Sequence, residues 1–329
     1  MSLGNLWALC GETSRQITAS LGPDPHTLTR YDRTVPLPFR VVPAAIALAL
    51  LLVPLFAFAF AGERCTRRVQ SLPTPLRLAL PAVLVLPYLI VALGQHMLAA
   101  RWLLLYLLAP VLIAVVEWLA AKLDPNQRGH LLDFLVLIPL GLAVDLRWLE
   151  PAWPHKLALL GKFTLLDAGL YAFLAVRCLS GVGFDLRLRA RDWRIGLREF
   201  AFYIPIAIPL GLALGFIHLH GRVAHPWLIL PAWIFTFIGV ALPEEVFFRG
   251  WMQNLLERRI GRLAALLVTA CLFGLSHFNK RTLFFNWRYV VLAALAGIFY
   301  GRAWRQDRRV AASSITHATV DTIWGALLR

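Results

Sequence analysis

Runs of ~20 apolar residues, the length needed to span a bilayer as a helix, recur from residue 41 to the C-terminus of this chain. They constrain the fold more than any other feature. Ten candidate segments follow: 42–61, 78–97, 101–121, 131–148, 157–179, 200–219, 227–257, 262–278, 287–304 and 311–328. Only 16% of the 329 residues are charged, against roughly 25% in soluble domains. Several of the 20 prolines fall inside apolar runs, which membrane helices tolerate. The expected fold is therefore all-α, a polytopic transmembrane helical bundle. A hydropathy window cannot separate re-entrant from spanning segments, so the expected count is about eight to ten membrane helices.

Four parts are expected: a polar N-terminal tail (1–40), an N-terminal transmembrane block of unassigned role (41–180), a basic interfacial linker (181–199) and a C-terminal core (200–329). The tail lacks the pattern of a signal peptide. The linker holds Arg187, Arg189, Arg191, Arg194 and Arg198, as expected at a cytoplasmic membrane surface. Alternation then puts both termini outside, with a Lys and Arg bias of the right sign but small size. The net charge of +15 comes mostly from arginines between apolar runs, where they anchor helices and meet anionic lipid. No basic patch is interleaved with aromatics in a soluble domain, which excludes nucleic-acid binding. Cys10, Cys65, Cys178 and Cys271 are scattered, so neither a disulfide framework nor a zinc knuckle is indicated.

The chemistry concentrates in the last third. Leu242-Pro243-Glu244-Glu245-Val246-Phe247-Phe248-Arg249-Gly250 carries two carboxylates and a guanidinium inside an apolar run. Ionisable groups in such a setting are a functional-site hypothesis by default. Glu245 and Arg249 are four apart and share a helix face. Glu244 sits ~100° round, unneutralised by that arginine and free to act as a general base. Alone, the pair could simply lock two helices.

The next segment ends in Phe273-Gly274-Leu275-Ser276-His277, and a lone histidine there reads as interfacial. Depth argues otherwise. If the chain turns at Gly261, Glu244 and His277 both lie ~25 Å along antiparallel neighbours at 1.5 Å per residue. In the final segment His317 and Asp321 are again four apart, either a polar clamp or part of a site. The preceding segment, Ala296-Gly297-Ile298-Phe299-Tyr300-Gly301, has small residues at four-residue spacing, which permits close helix approach.

Glu-Glu-x-x-x-Arg, Phe-x-x-x-His and His-x-x-x-Asn/Asp, in that order, resemble the CPBP family: the CAAX-protease and bacteriocin-processing (Abi) group of glutamic intramembrane endopeptidases. The resemblance covers about residues 200–329. It implies peptide-bond hydrolysis inside a prokaryotic cell (inner) membrane, with no metal and no cofactor. The substrate would be a membrane protein or a lipidated or C-terminal peptide, and the lipid bilayer the other partner. Oligomeric state is left open. By carry-over, Glu244 and His277 activate water, while His317 and Asp321 form the oxyanion site. Glu245, Arg249 and Phe273 support it. The best-known CAAX endopeptidases have Asn where this chain has Asp321. An ionised carboxylate cannot donate to an oxyanion, so Asp321 is expected to orient His317.

Three other readings compete with this one. A zinc-dependent membrane peptidase could use Glu, His and His, but there is no His-Glu-x-x-His and the carboxylate helix has no histidine. A non-enzymatic membrane scaffold or immunity protein would not need three intact motifs. An exosortase-like cysteine transpeptidase lacks local context at Cys178 and Cys271. Of the remaining polar residues, Glu117, Asp145 and Arg147 read as interfacial, Asp167 as pairing across helices, and His218, His220 and His225 as an interfacial loop.

Overall fold

In lipid the backbone must satisfy its own hydrogen bonds, so an apolar run becomes a helix. The computed structural model describes residues 37–218, 226–280, 282 and 284–328. Most of the 1–40 tail, Cys10, His220 and His225 lie outside them. Among the described residues each of the ten runs is helical and there is no strand. The helices are α1 (Leu37–Gln70), α2 (Thr74–Gly94), α3 (Ala100–Leu123), α4 (Leu131–Asp145), α5 (His155–Val176), α6 (Ala190–Ala213), α7 (Pro226–Ile260), α8 (Arg262–Leu275), α9 (Trp287–Asp307) and α10 (Val310–Leu327). Six of them (α1, α2, α3, α5, α6 and α7) are long and apolar enough to cross a membrane. The others are shorter or less apolar.

The outer face is as greasy as the runs suggest. Leu104, Leu108 and Leu112 form an exposed stripe on α3, as do Leu131, Leu135 and Ile138 on α4. Inside, one apolar cluster runs from Leu51 of α1 through Phe173 of α5 and Trp251 of α7 to Ile315 of α10. Trp251 stacks on Phe173 with ring centroids 5.0 Å apart. A Cβ at Gly169 would run into the same indole, so α5 and α7 meet there at close range.

A polar girdle ties the helix ends on one side. Arg177, at the end of α5, reaches Asp133 at 2.9 Å and Asp124 at 2.8 Å. Glu117, expected at an interface, is instead fully buried 3.9 Å from Arg177. An apolar run carries no marker of where lipid contact ends and protein contact begins, so the sequence does not show this burial. Arg258 of α7 donates to the carbonyls of Gln127 at 2.8 Å and Ser180 at 2.6 Å. Asp167 does not pair across helices: it is buried and neither oxygen has a hydrogen-bond partner.

The linker is pinned to this girdle. Arg309, just before α10, pairs with Asp192 at 2.7 Å and Asp185 at 3.0 Å. Gly183 has φ +73°, and a Cβ there would overlap the Arg308 carbonyl, so only glycine fits. Burial alone would push the Asp185 carboxyl up, but hydrogen bonds from Arg187 and Arg309 outweigh it and hold the group at about 2, below its ordinary 3.8. A depressed value means the folded linker gains stability above the ordinary value and loses it as pH falls towards the depressed one. Thermal unfolding in detergent is expected to separate wild type from Asp185→Asn at about pH 5, and the two should converge near pH 2. A constant gap across that window would contradict it.

Candidate active site

Pro243 has no N–H to give to the helix ladder, and α7 is widened to π-helix on both sides of it, over Phe237–Ala241 and Val246–Gln253. Such bulges are frequent at functional sites. The one regular turn between them, Leu242–Glu245, carries both carboxylates.

Glu245 is fully buried, and its Oε1 serves two partners. Arg249 Nη1 lies 3.0 Å away, and His317 Nδ1 2.8 Å away. Arg249 is also fully buried; its Nη2 donates to the Gly297 carbonyl at 2.9 Å. Its guanidinium carbon sits 4.7 Å from the Phe273 ring centre and 5.3 Å from that of Tyr300. Close helix approach makes this bond possible. A Cβ on Gly297 would press on Ala270 of α8 at 3.0 Å. Gly297→Leu is expected to overpack this contact and to destabilise the protein by about 1–3 kcal/mol, measurable as a lowered unfolding midpoint.

His317 is the hub. It stacks on Tyr300 at 4.5 Å and meets Phe273 edge-on at 5.6 Å. With Nδ1 on Glu245, its Nε2 faces Asp321 Oδ2 at 3.4 Å and Glu244 Oε2 at 3.9 Å. Glu245 is thus not tied to Arg249 alone, and His317 has a carboxylate at each ring nitrogen, Glu245 at Nδ1 and Asp321 at Nε2. Contacts between helices decide this, and spacing within one helix cannot.

Glu244 is separate from that pair, as its angular position implied. Its side chain is 26% exposed, and Oε2 has no hydrogen-bond partner. Gly261 does turn the chain, with φ +79°, and brings α8 back along α7. His277 lies within electrostatic range of Glu244. Its Nδ1 is 2.9 Å from the Phe273 carbonyl, and its ring packs between Phe273 at 4.9 Å and Tyr289 at 4.8 Å. A carbonyl only accepts, so Nδ1 carries the proton and Nε2 of the neutral ring is left as an acceptor. His277, His317 and Asp321 line a cavity of about 70 Å³, shared with Tyr203, Tyr289 and Tyr300. That is room for water.

All seven residues singled out in the sequence thus converge, though Glu244 meets the cavity through His317. Tyr300, the Gly297 carbonyl and Tyr289 were not among them. Tyr300 left a signal: it lies three residues after Gly297 and so shares its face. Among the described residues no group of three or more His, Cys, Asp or Glu side chains is spaced to hold a metal ion.

A buried carboxylate–histidine site within an all-α, multi-pass membrane fold defines the class. Residues 226–323, from the start of α7 into α10, match the family model of the type II CAAX prenyl endopeptidase Rce1-like proteins. All three motifs fall within the match, which bears out the CAAX-protease resemblance and supports a CAAX-type endopeptidase, a hydrolase of peptide bonds. No significant match to a curated protein or to a solved structure was found.

Proposed function

We propose that the chain is a glutamic intramembrane endopeptidase that cleaves a membrane-associated protein or peptide. The observation that carries this reading is the division of labour around His317: Glu245 on Nδ1, with Nε2 turned towards Glu244, Asp321 and the cavity. A water held between the Glu244 carboxylate and the cavity wall gives one hydrogen bond to Glu244 and the other to Nε2 of His277. Glu244 removes a proton as the oxygen attacks the peptide carbonyl carbon. His317 donates from Nε2–H to the oxyanion that forms. The C–N bond then breaks, and Glu244 returns the proton to the leaving amine.

The tautomer logic is restrictive. Nδ1 faces an ionised acceptor and must be protonated. Donation from Nε2 as well requires the imidazolium. Glu245 and Asp321 offset that charge, and Asp321 yields its place on Nε2 to the oxyanion. Asp321 is then the resting partner of the donor. Such a donor contributes on the order of 10²–10³ in rate.

The test is the membrane peptide profile of cells carrying wild type or Glu244→Ala. A precursor is expected to accumulate with the variant, and its absence across a broad search would overturn the reading. Activity of the purified protein is expected to persist in EDTA. Loss on chelation with rescue by zinc would favour a zinc peptidase instead.

A further inference from the structure

Attack on a peptide carbonyl puts negative charge on its oxygen, and preorganised hydrogen-bond donors stabilise that charge. Around His317 the acceptors outnumber the donors. Glu244 and Asp321, as carboxylates, only accept, and Nε2 of His277 accepts as well. Nε2–H of His317 is the single donor in the proposed mechanism. The side-chain hydroxyls on the cavity wall are those of Tyr203, Tyr289 and Tyr300. Their surroundings separate them. Tyr203 packs edge-on against Phe299 at 5.7 Å, and Tyr289 against His277 at 4.8 Å. Tyr300 is stacked on His317 itself, with ring centroids 4.5 Å apart and planes 17° from parallel. Phe273 meets the Tyr300 ring edge-on at 5.6 Å, and the Arg249 guanidinium carbon lies 5.3 Å from its centre, so the ring is clamped. The residue is 1% exposed. Its hydroxyl makes no hydrogen bond to any described residue, yet it is not sealed in. It opens on the cavity that Tyr300 lines together with His317 and Asp321.

A buried hydroxyl nearly always has a partner, so this one is a donor held for an atom that enters the cavity. Nδ1 of His317 is fixed on Glu245 at 2.8 Å, which turns Nε2 the other way, to the side of Asp321. Donors on two rings stacked 4.5 Å apart, both turned to one cavity, can reach a single oxygen. The stacking distance is shorter than two hydrogen bonds of about 2.8 Å laid end to end. We propose that Tyr300 is a further catalytic residue, whose hydroxyl donates a second hydrogen bond to the oxyanion held by His317. The phenol keeps its proton, so atoms and charges balance as in the hydrolysis itself. The inference rests on the hydrolytic reading of Glu244.

The test uses the full chain in lipid nanodiscs and a library of N-terminally acylated peptides. The best-cleaved member is compared with its analogue carrying sulfur in place of the scissile carbonyl oxygen. Tyr300→Phe keeps the stacked ring and removes only the donor. It is expected to lower kcat for the oxygen peptide about a hundredfold, with KM and the unfolding midpoint unchanged. Sulfur is the poorer acceptor, so the loss on the thioamide should be about tenfold smaller. An equal loss on both peptides would mean that Tyr300 only shapes the site, and that result overturns the proposal, as does an unchanged kcat. Difluorotyrosine in place of Tyr300 tests the same point without removing the group. Its hydroxyl is the stronger donor, so kcat should rise at a pH where it stays protonated, and no rise overturns the proposal. If wild type cleaves no peptide of the library, the hydrolytic reading itself fails and takes the proposal with it. Cleavage that Tyr300→Phe leaves untouched defeats the proposal alone.

Discussion

Glu244→Gln is expected to lower peptide turnover by about a thousandfold, within the range for loss of a general base, and to leave the fold intact. The amide has the same shape as the carboxylate but cannot take a proton from water. The charge at this position has one long contact, His317 Nε2 at 3.9 Å, and that ring is held by Glu245 and Asp321 as well. Oε2 makes no hydrogen bond, the side chain is 26% exposed, and Arg249 is engaged with Glu245. Turnover and unfolding midpoint, measured on one preparation, separate the two effects. A variant that keeps a tenth of wild-type turnover would remove Glu244 from the mechanism. Glu245→Gln is the informative contrast. It strips the counter-charge from both Arg249 and His317, so it should lower the unfolding midpoint as well as the rate.

Arg249→Met is expected to have the largest effect on stability, about 3–5 kcal/mol, the usual cost of leaving a buried charge without its partner. Glu245 would keep only His317, and the Gly297 carbonyl would lose its bond from the guanidinium. The effect should appear as a large fall in unfolding midpoint and in the yield of folded protein from the membrane. The double variant Arg249→Met with Glu245→Leu removes both charges, and most of the lost stability should return, because a well-packed apolar pair can replace a buried ion pair. Activity should not return, since His317 would have no partner on Nδ1. A loss below about 1 kcal/mol for the single variant would place the pair in the range of exposed ion pairs and remove it as the anchor of the site.

The fold class was legible because it depends on one local quantity, the length of each apolar run. All ten runs are helices among the described residues. Length alone misjudged depth, however. Glu117 read as interfacial and is buried, because apolar residues face lipid and protein alike and the run does not say which. Within the site, the Glu245–Arg249 pair and the turn at Gly261 were readable from helix spacing and a residue type suited to positive φ.

The sequence by itself determined which groups could meet within a helix: Glu245 with Arg249, Phe273 with His277, and His317 with Asp321. Each pair is separated by four residues, and 3.6 residues per turn places it on one face whatever surrounds it. Tertiary structure alone decided what crosses between helices. It put Glu245 rather than Asp321 on Nδ1 of His317, stacked that ring on Tyr300, and aimed Arg249 at the Gly297 carbonyl. These contacts depend on the rotation and depth of α7, α9 and α10 relative to one another. Packing of small residues such as Gly297 against Ala270 sets that registration, and no periodicity within a single helix encodes it.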